Sequence, residues 1–346
     1  MMLMAGGFRR YGGHDSKALK KLLLSLALIA VLIVGAVIAV KLLDSGKYTG
    51  EPTGDLSARF TTPRVVNYDG KQYAYNENLS TYLLIGVDKT TVDEKAQGFR
   101  NGGQADFLML LVADAKQKTI TRVQIDRDTM TEITTLGVLG NISGTRRAQI
   151  CLSHAFGGSE EQSCEFTVDA VQKLFFGINI DGYISLNMDG VPAMCDALGG
   201  VSVVLEDDLT MIDPAWTVGA SIVLSGENAE KYVRARSDVG DGTNESRMRR
   251  QSVFLASMNS ALTEKLQKNA KFGETFLDSI KYYLTSDMKK GKIVNEVNKV
   301  KSFRYGDIVS IGGEHIIGSD GFVEFHPDEE SLQRLALGVF FVPTPD

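Results

Sequence analysis

Short apolar runs separated by polar, glycine-containing segments dominate the chain from about residue 80 onward. The runs at 81–88, 105–114 and 119–128 are bounded by turn residues, which is typical of buried strands. A polar turn at 114–118 separates the second run from the third, so these two are predicted to form a hairpin. Residues 130–148 are rich in glycine and threonine and are predicted to be a loop.

The ends of these predicted strands carry charge. Asp88 ends the first run and Asp106 opens the second, while Arg127 and Asp128 close the third. In an antiparallel pair, the start of one strand and the end of the next lie at the same end of the sheet. Asp106, Arg127 and Asp128 are therefore predicted to lie at the same sheet end, and Asp88 is predicted to reach a site from the end of its own strand. The alternative is that the two isolated aspartates only cap their strands.

Beyond residue 149, helical periodicity alternates with strands. Residues 163–176 place apolar side chains on one face, with Ser163 as the predicted N-cap and Gly177 as the stop. Further strands are predicted at 180–188, 201–208, 307–313 and 322–326, and further helices at 189–200, 225–234, 244–268 and 328–337. This alternation predicts an α/β fold, a layered α/β/α domain with a central mixed sheet.

One face of the helix predicted at 244–268 carries an unusual stripe, in which an arginine and a glutamine lie in line with apolar side chains. At about 100° per residue, the stripe is formed by the side chains of Arg247, Gln251, Phe254, Met258 and Leu262. Arg250 lies at its shoulder, and Arg249 points to the opposite side. A charge in line with apolar residues faces the interior and needs a partner. We therefore expect Arg247 to be buried and paired, and Arg249 to be solvated.

An uncharged apolar segment precedes the folded part. Residues 22–40 are long enough, at about 1.5 Å per residue, to come close to crossing a hydrocarbon core, and 22–41 is predicted to be an uncleaved transmembrane helix. The alternative, a cleaved signal peptide, has a shorter apolar region and a small-residue exit. The basic leader 1–21 predicts a cytoplasmic N-terminus. Residues 42–78 then form an extracellular stalk and lead-in, and 79–346 the extracellular domain.

The composition makes one local feature stand out. The 346 residues include 37 Lys and Arg against 43 Asp and Glu, a net charge of −6, which argues against general nucleic-acid binding. Within this acidic chain, residues 232–251 contain five arginines: Arg234, Arg236, Arg247, Arg249 and Arg250. Guanidinium forks at this density suit phosphate oxygens. The alternative is pairing with the neighbouring acids Asp238, Asp241 and Glu245.

Two carboxylates near such a cluster would suit a metal-assisted phosphate site. Hard oxygen ligands hold Mg²⁺, and the ion neutralises the same phosphate oxygens that arginines bind. Asp88 and Asp106 are the candidate ligands.

The three cysteines bear on the redox environment of the domain. An extracellular location favours a pair, and Cys151 and Cys164 are close in sequence across a Gly-Gly loop, so they are predicted to form a disulfide. Cys195 lies in an apolar helical stretch and is left over. The alternative is three reduced, buried thiols.

The order of several short motifs resembles the LytR-CpsA-Psr family over residues 80–255, roughly 170 positions. The matching segments are LLIGVD, QADFLMLLV, RDT, HAFGG, INIDGYISLNMDGV, DALGGVSV, GENAEKYVRAR and ESRMRRQ. Members of that family face outward from the membrane of mainly Gram-positive bacteria. They attach glycopolymers such as teichoic acids, taken from undecaprenyl-pyrophosphate carriers, to peptidoglycan. The resemblance implies a Mg²⁺-dependent glycopolymer phosphotransferase with these partners.

The resemblance also implies roles for individual residues. The family's metal-binding aspartates match Asp88 and Asp106, and Asp88, Asp106 or Asp128 would accept the proton of the attacking hydroxyl. The residues that match its pyrophosphate-binding set are Arg127, Arg234, Arg236, Arg247, Arg250 and Gln251. A prenyl chain would need an apolar slot, for which the sheet and the helices at 163–176 and 250–262 are candidates.

The chain departs from the family pattern at three places. Gln104 stands where an arginine is usual, and Arg100 in the same loop can substitute for it. Asn244 stands where an aspartate is usual, and Cys151 to His154 replace an Asn-x-x-Tyr. Two other functions therefore stay open: a lipid pyrophosphatase that uses water as acceptor, and a non-catalytic regulator or scaffold that binds the lipid carrier.

Overall fold

The computed structural model describes residues 64–88, 103–137, 140–235, 239–269, 272–288, 296, 299–300 and 303–344. The predicted leader, the transmembrane helix at 22–41, Arg100 and Arg236 lie outside the described residues. No helix in the described part is long and apolar enough to cross a membrane.

A six-stranded mixed sheet forms the centre of the domain. Its strands, in spatial order, are β11 (Leu284–Ser286), β8 (Gly182–Asn187), β3 (Leu79–Asp88), β4 (Gln104–Asp114), β5 (Thr119–Ile125) and β12 (Arg304–Ser310). The β8–β3 and β5–β12 pairs are parallel, and the other three are antiparallel. The predicted hairpin at 105–128 is therefore confirmed as the central β4–β5 pair.

Helices cover both faces of this sheet, as predicted. One face packs against α2 (Gly190–Leu198), α3 (Gly226–Arg234), α4 (Asn244–Lys268) and α5 (Phe272–Ile280). The other packs against a 3-10 helix (Ile150–Phe156), α1 (Glu160–Leu174) and α6 (Glu329–Phe340). Each strand of the β3–β4 pair buries alternate residues in the two apolar cores, which makes the sheet the rigid support of both layers.

Smaller pairs of strands surround this centre. They are β1 (Val65–Tyr68), β2 (Lys71–Tyr75) and β15 (Phe341–Pro343) in one sheet, β6 (Met130–Leu136) with β7 (Ile142–Gln149), β9 (Val201–Val204) with β10 (Ser221–Leu224), and β13 (Gly313–Ile317) with β14 (Val323–Pro327). A short 3-10 helix (Lys281–Tyr283) leads into β11. In the first of these sheets, strands from opposite ends of the chain pair, because β15 lies antiparallel to β2.

One predicted boundary and one predicted loop differ from the structure. The folded part begins earlier than Leu79, because the β1–β2 hairpin occupies part of the predicted lead-in. The segment 130–148 is a β6–β7 hairpin rather than a loop. Its β-branched residues favour strands, and buried Thr134 anchors it by donating to Asp169 Oδ2 at 2.5 Å.

The start of α1 also differs from its prediction. Ser159, rather than Ser163, caps the helix and accepts a hydrogen bond from the Gln162 amide at 3.2 Å. Ser163 is fully buried within the first turns. The predicted stop is confirmed, because Gly177 has a left-handed φ of 82° and its amide donates to Gln172 O at 2.7 Å.

Candidate functional site

A β-bulge in β4 presents Asp106. Gly86 pairs with Phe107 and Val87 pairs with Ala105, so Asp106 is the extra residue with no partner across the ladder. Bulges of this kind redirect a side chain away from its normal face. Gly86 is required opposite, because a Cβ there would lie 2.9 Å from Phe107 Cβ.

The redirected Asp106 carboxylate lies between two arginines. Its Oδ1 is 2.7 Å from Arg127 Nη1, and its Oδ2 is 3.2 Å from Arg247 Nη1. The side chains of Arg247 and Asp106 are only 5% and 10% exposed. Burial raises the pKa of the Asp106 carboxyl, and the charges of Arg127 and Arg247 oppose that rise. The three groups form a buried charged cluster, in which removal of one member leaves the others uncompensated.

Two further aspartates complete the cluster. Asp128 Oδ1 lies 3.4 Å from Arg127 Nε, and Asp88 Oδ1 lies 2.5 Å from Arg234 Nη2. Arg234 also binds Glu230 at 2.7 Å and is more than a third exposed, as expected for the solvent-facing side of a site. The negative charge of Asp88 contributes to the raised pKa of Asp106. The predicted return of Asp106, Arg127 and Asp128 to one end of the sheet is confirmed, and Asp88, at the end of β3, lies at the same end.

A chain of hydrogen bonds supports Arg247 on the side away from Asp106. Its Nη2 donates to Asn244 Oδ1 at 2.5 Å, and Asn244 Nδ2 donates to Asp126 Oδ1 at 2.6 Å. Asp126 Oδ2 lies 2.9 Å from His315 Nε2 on β13. The sequence prediction missed Asp126 and His315. Asp126 was detectable as a second acid in the IDRD segment, whereas His315 is nearly 190 residues away and has no local signal.

We expect Asn244→Ala to lower the free energy of unfolding by about 2–3 kcal/mol, since it leaves buried groups of Asp126 and Arg247 with fewer partners. The melting temperature should fall by roughly 5–10 °C. Glu245→Ala, on the exposed side of the same helix, is the matched control and should change it little. Equal melting temperatures for Asn244→Ala and wild type would contradict the proposed support of Arg247.

The remaining members of the predicted phosphate-binding set have other contacts. Arg250 is buried, binds Asp207 Oδ2 at 2.6 Å and donates to Ala235 O. Gln251 Nε2 donates to Val233 O at 3.4 Å. Both residues thus bind the backbone of the segment that carries Arg234, and the structure does not bring Arg250 to Asp106. Arg249 is 51% exposed and faces Asp207 and Asp241. The prediction that Arg247 faces inward and Arg249 faces solvent is therefore confirmed.

The predicted Cys151–Cys164 disulfide is wrong, because all three cysteines are free and buried in the structure. The Cys151 and Cys164 thiols have different partners: Cys151 Sγ accepts from Arg127 Nη2 at 3.3 Å, and Cys164 Sγ lies 3.7 Å from His154 Nε2. Burial raises the pKa of Cys151 to about 11, so its thiol stays protonated at neutral pH. Arg127 Nη2 also donates to Gln104 Oε1, and the residue at this unusual position therefore helps to orient Arg127.

An apolar cavity adjoins the cluster. Together with the open solvent at its mouth it has about 700 Å³ of space, and its walls come from β3, β4, β8, α2, α3 and α4. Val87, Phe107 and Val233, each next to a charged residue of the cluster, form the near end together with Gln251. The sheet and residues 250–262, both candidates for the predicted apolar slot, line this cavity. Residues 163–176 do not, because α1 packs on the opposite face of the sheet.

This fold and arrangement of residues can be compared with known proteins. A family model described as the LytR_cpsA_psr family matches residues 55–336. The chain belongs to this family. The match extends well beyond residues 80–255, where the motifs lie, and includes the β13–β14 hairpin that carries His315.

Relatives with assigned names are similar over part of their length. The chain is 28% identical over 221 residues to a protein of Halalkalibacterium halodurans named polyisoprenyl-teichoic acid–peptidoglycan teichoic acid transferase TagU; the match covers 62% of this chain and 66% of that protein. The Bacillus subtilis protein of the same name is 28% identical, with 59% and 60% covered. The matched region is thus less than two thirds of either relative.

Solved structures share the fold. A Streptococcus agalactiae protein superposes with a TM-score of 0.62 at 21% identity, with 76% of this chain and 86% of that chain covered. Bacillus subtilis TagV gives 0.56 at 20% identity, with 76% and 96% covered. These similarities confirm the mixed α/β architecture with its central mixed sheet.

Proposed function

We propose that the protein transfers a cell-wall glycopolymer from an undecaprenyl-pyrophosphate carrier to peptidoglycan. The observation that carries this proposal is the buried Asp106, held between Arg127 and Arg247 at the mouth of an apolar cavity. A charged cluster next to an apolar cavity matches a ligand with a diphosphate head and a prenyl tail. The names of the relatives, teichoic acid transferases that act on peptidoglycan, support the same reaction.

The proposed reaction takes place outside the cell membrane. The predicted helix at 22–41 would anchor the chain there, with the N-terminus in the cytoplasm. An anchored domain would meet a lipid carrier at the membrane surface, which agrees with the apolar lining of the cavity beside the charged cluster. The protein would therefore have the membrane, the carrier and peptidoglycan as partners, and no nucleic acid.

The charges of the cluster bear on the proposed Mg²⁺ ion. Among the described residues, Arg127, Arg234 and Arg247 face Asp88, Asp106 and Asp128, with Glu230 also on Arg234. The protein groups alone therefore offer a diphosphate no excess of positive charge. A divalent cation would supply it, which favours a metal at this site.

The donor set fits such an ion. The described ranges contain no group of three or more His, Cys, Asp or Glu residues arranged to hold a metal. Mg²⁺, however, is commonly bound by one or two carboxylates together with substrate phosphates. Asp106 Oδ1 is buried without a well-aligned hydrogen bond, which leaves a lone pair for a cation. Asp88 and Asp106 would hold the ion, and it would neutralise charge on the phosphate oxygens.

The chemistry is a displacement at the phosphorus that carries the glycopolymer. A peptidoglycan hydroxyl forms the new O–P bond, the bond to the lipid phosphate breaks, and the hydroxyl proton passes to Asp88, Asp106 or Asp128. Arg127, Arg234 and Arg247 bind the diphosphate and stabilise the charge that develops on its oxygens. Arg250 and Gln251 hold the 233–235 backbone in place. Arg236, next along the chain, remains a proposed phosphate ligand.

The test is to incubate the full-length protein with Mg²⁺ and a prenyl-pyrophosphate saccharide, with and without peptidoglycan oligomers. Product formed only with the oligomers supports transfer. Release of lipid phosphate without an acceptor would instead indicate a pyrophosphatase. Tight binding of the carrier without turnover would indicate a regulator or scaffold.

The apolar cavity allows a separate prediction about the tail. Leu255→Trp, in the cavity wall, should weaken binding of a long prenyl pyrophosphate about tenfold, because displacing roughly two methylene groups from an apolar site costs that much. Affinity for inorganic pyrophosphate, measured by calorimetry, should not change. Ser260→Trp, exposed on the same helix, is the control. An equal loss of affinity for both ligands would show that the prenyl tail does not bind in this cavity.

A further inference from the structure

The β13–β14 hairpin returns to the site from the last tenth of the chain. The Phe325 amide donates to Asp128 O at 2.8 Å, and Thr129 forms an isolated bridge with Phe325. Gln149 Nε2 donates to Val323 O at 3.0 Å, and His315 reaches Asp126. The hairpin is therefore fastened along the segment that carries Arg127 and Asp128.

A second cleft opens between this hairpin and the cluster. Together with the open solvent at its mouth it has about 790 Å³ of space, and its walls include Gln104, Arg127, Asp128, Gln149, Asp320 and Phe322. It shares Arg127 and Asp128 with the charged cluster but has no wall residue in common with the apolar cavity. The Asp106–Arg127 ion pair connects the two, since Phe107 lines the cavity and Arg127 lines the cleft.

We propose that this cleft binds the acceptor saccharide, with Phe322 as a stacking platform; the inference rests on the proposed transfer reaction. A sugar ring presents an apolar C–H face and an edge of hydroxyl groups that donate and accept. The cleft offers a matching surface: carboxylates from Asp128 and Asp320, amides from Gln104 and Gln149, and the ring of Phe322. Phe322 is 66% exposed, so the face of its ring is accessible to a saccharide in the cleft.

The geometry of phosphoryl transfer favours the acceptor, rather than the sugars of the donor, as the saccharide that binds in the cleft. In phosphoryl transfer the attacking and leaving oxygens lie roughly in line on opposite sides of phosphorus. The leaving lipid phosphate belongs on the side of the apolar cavity, so the attacking hydroxyl must come from the other side. The cleft has no wall residue in common with the cavity and meets it through the Asp106–Arg127 ion pair, so it offers the attacking hydroxyl an approach separate from the leaving group.

This assignment also selects among the three candidate proton acceptors. Asp128 is the one that lines the cleft, with its Oδ1 3.4 Å from Arg127 Nε. A saccharide hydroxyl in the cleft would form its bond to phosphorus as its proton passes to Asp128, while the phosphorus–oxygen bond to the lipid phosphate breaks. The electron pair of that broken bond leaves on the lipid phosphate, so the step is balanced.

The experiment compares Phe322→Ala with Ile317→Ala in full-length protein. Ile317 is 70% exposed on the same hairpin but does not line the cleft, so its loss controls for general effects on the hairpin. Phe322→Ala should raise KM for a lipid-free peptidoglycan tetrasaccharide about fivefold to tenfold, since one aromatic contact is lost. KM for the prenyl-pyrophosphate donor and the melting temperature should stay as in wild type.

A binding measurement keeps the inference independent of turnover. The dissociation constant of the same tetrasaccharide, measured by NMR titration without donor, should rise by a similar factor in Phe322→Ala and not in Ile317→Ala. Equal acceptor constants for Phe322→Ala and wild type would overturn the proposal. A rise confined to the donor KM would also overturn it, because the cleft would then hold the donor's sugars. If wild type transfers nothing, the proposed function fails and the dissociation constants alone decide.

Discussion

Arg247→Ala should lower kcat/KM for a prenyl-pyrophosphate donor by about 100-fold or more. Arg247 is 5% exposed and binds Asp106 and Asn244, so it holds its charge where a diphosphate would sit. Removing one preorganised donor from such a site typically costs roughly 10²–10³ in rate. The change also leaves Asp106 with only Arg127 as a described ion-pair partner. Steady-state kinetics with a purified donor and acceptor would measure the loss.

Arg249→Ala is the matched control for Arg247→Ala. The two arginines are two positions apart on α4, but Arg249 is half exposed and faces Asp207 and Asp241. Its exposed pairs contribute little, so kcat/KM should change less than about twofold. Arg247→Lys separates charge from geometry, because an ammonium group cannot bind Asp106 and Asn244 with one planar fork. Equal losses of kcat/KM for Arg247→Ala and Arg249→Ala would show that Arg247 is not part of the site.

Asp106→Asn should reduce turnover by about 1,000-fold and abolish its response to Mg²⁺. Asp106 pairs with Arg127 and Arg247 and is one of two candidate metal ligands, so neutralising it removes both interactions at once. Losing a group that both binds a cation and orients two phosphate-binding residues should cost more than losing either contact alone, about 4 kcal/mol in the activation free energy. Turnover measured against Mg²⁺ concentration gives both effects.

The control for Asp106→Asn must make the same change of charge at a remote position. Asp278→Asn does so, because Asp278 is 61% exposed and its described ion pair is a long 3.7 Å contact with Lys281. It should leave the Mg²⁺ response unaltered. Melting temperatures of both variants separate loss of chemistry from loss of fold. If Asp106→Asn folds and keeps the Mg²⁺ dependence of wild type, Asp106 is not a metal ligand.

The inward and outward faces of α4 could be predicted from the sequence because helical phase is a local property. Within 20 residues the period of 3.6 hardly drifts, and Arg247, Gln251 and Arg249 lie where it places them. The positions of residues at the strand ends could also be predicted from local geometry. Hairpin geometry alone was enough to bring Asp106 and Arg127 together.

The contacts that were missed are long-range and polar. No periodicity connects Asp126 with His315 or Arg250 with Asp207, because a buried ion pair is chosen by the packing of distant segments. The disulfide prediction was wrong for a related reason. Closeness along the chain does not fix the direction of a side chain, and the thiols of Cys151 and Cys164 contact Arg127 and His154 instead of each other.

The 130–148 segment shows a different limit. Its glycines and threonines match a loop by composition, yet the β6–β7 ladder runs through it. Threonine favours strands although it is also common in polar loops, and the decisive contact, Thr134 with Asp169, comes from another element. Composition therefore failed where a tertiary contact selects between two conformations that the sequence allows.

The position of β12 at the edge of the central sheet has a consequence for folding. β5 is paired on one side with β4 and on the other, in parallel, with β12, which follows it by nearly 180 residues. Until β12 docks, β5 presents a row of unpaired backbone amides and carbonyls that can recruit strands of other molecules. A chain truncated before residue 303 should therefore be prone to aggregation, and pairing so distant in sequence should make folding slow.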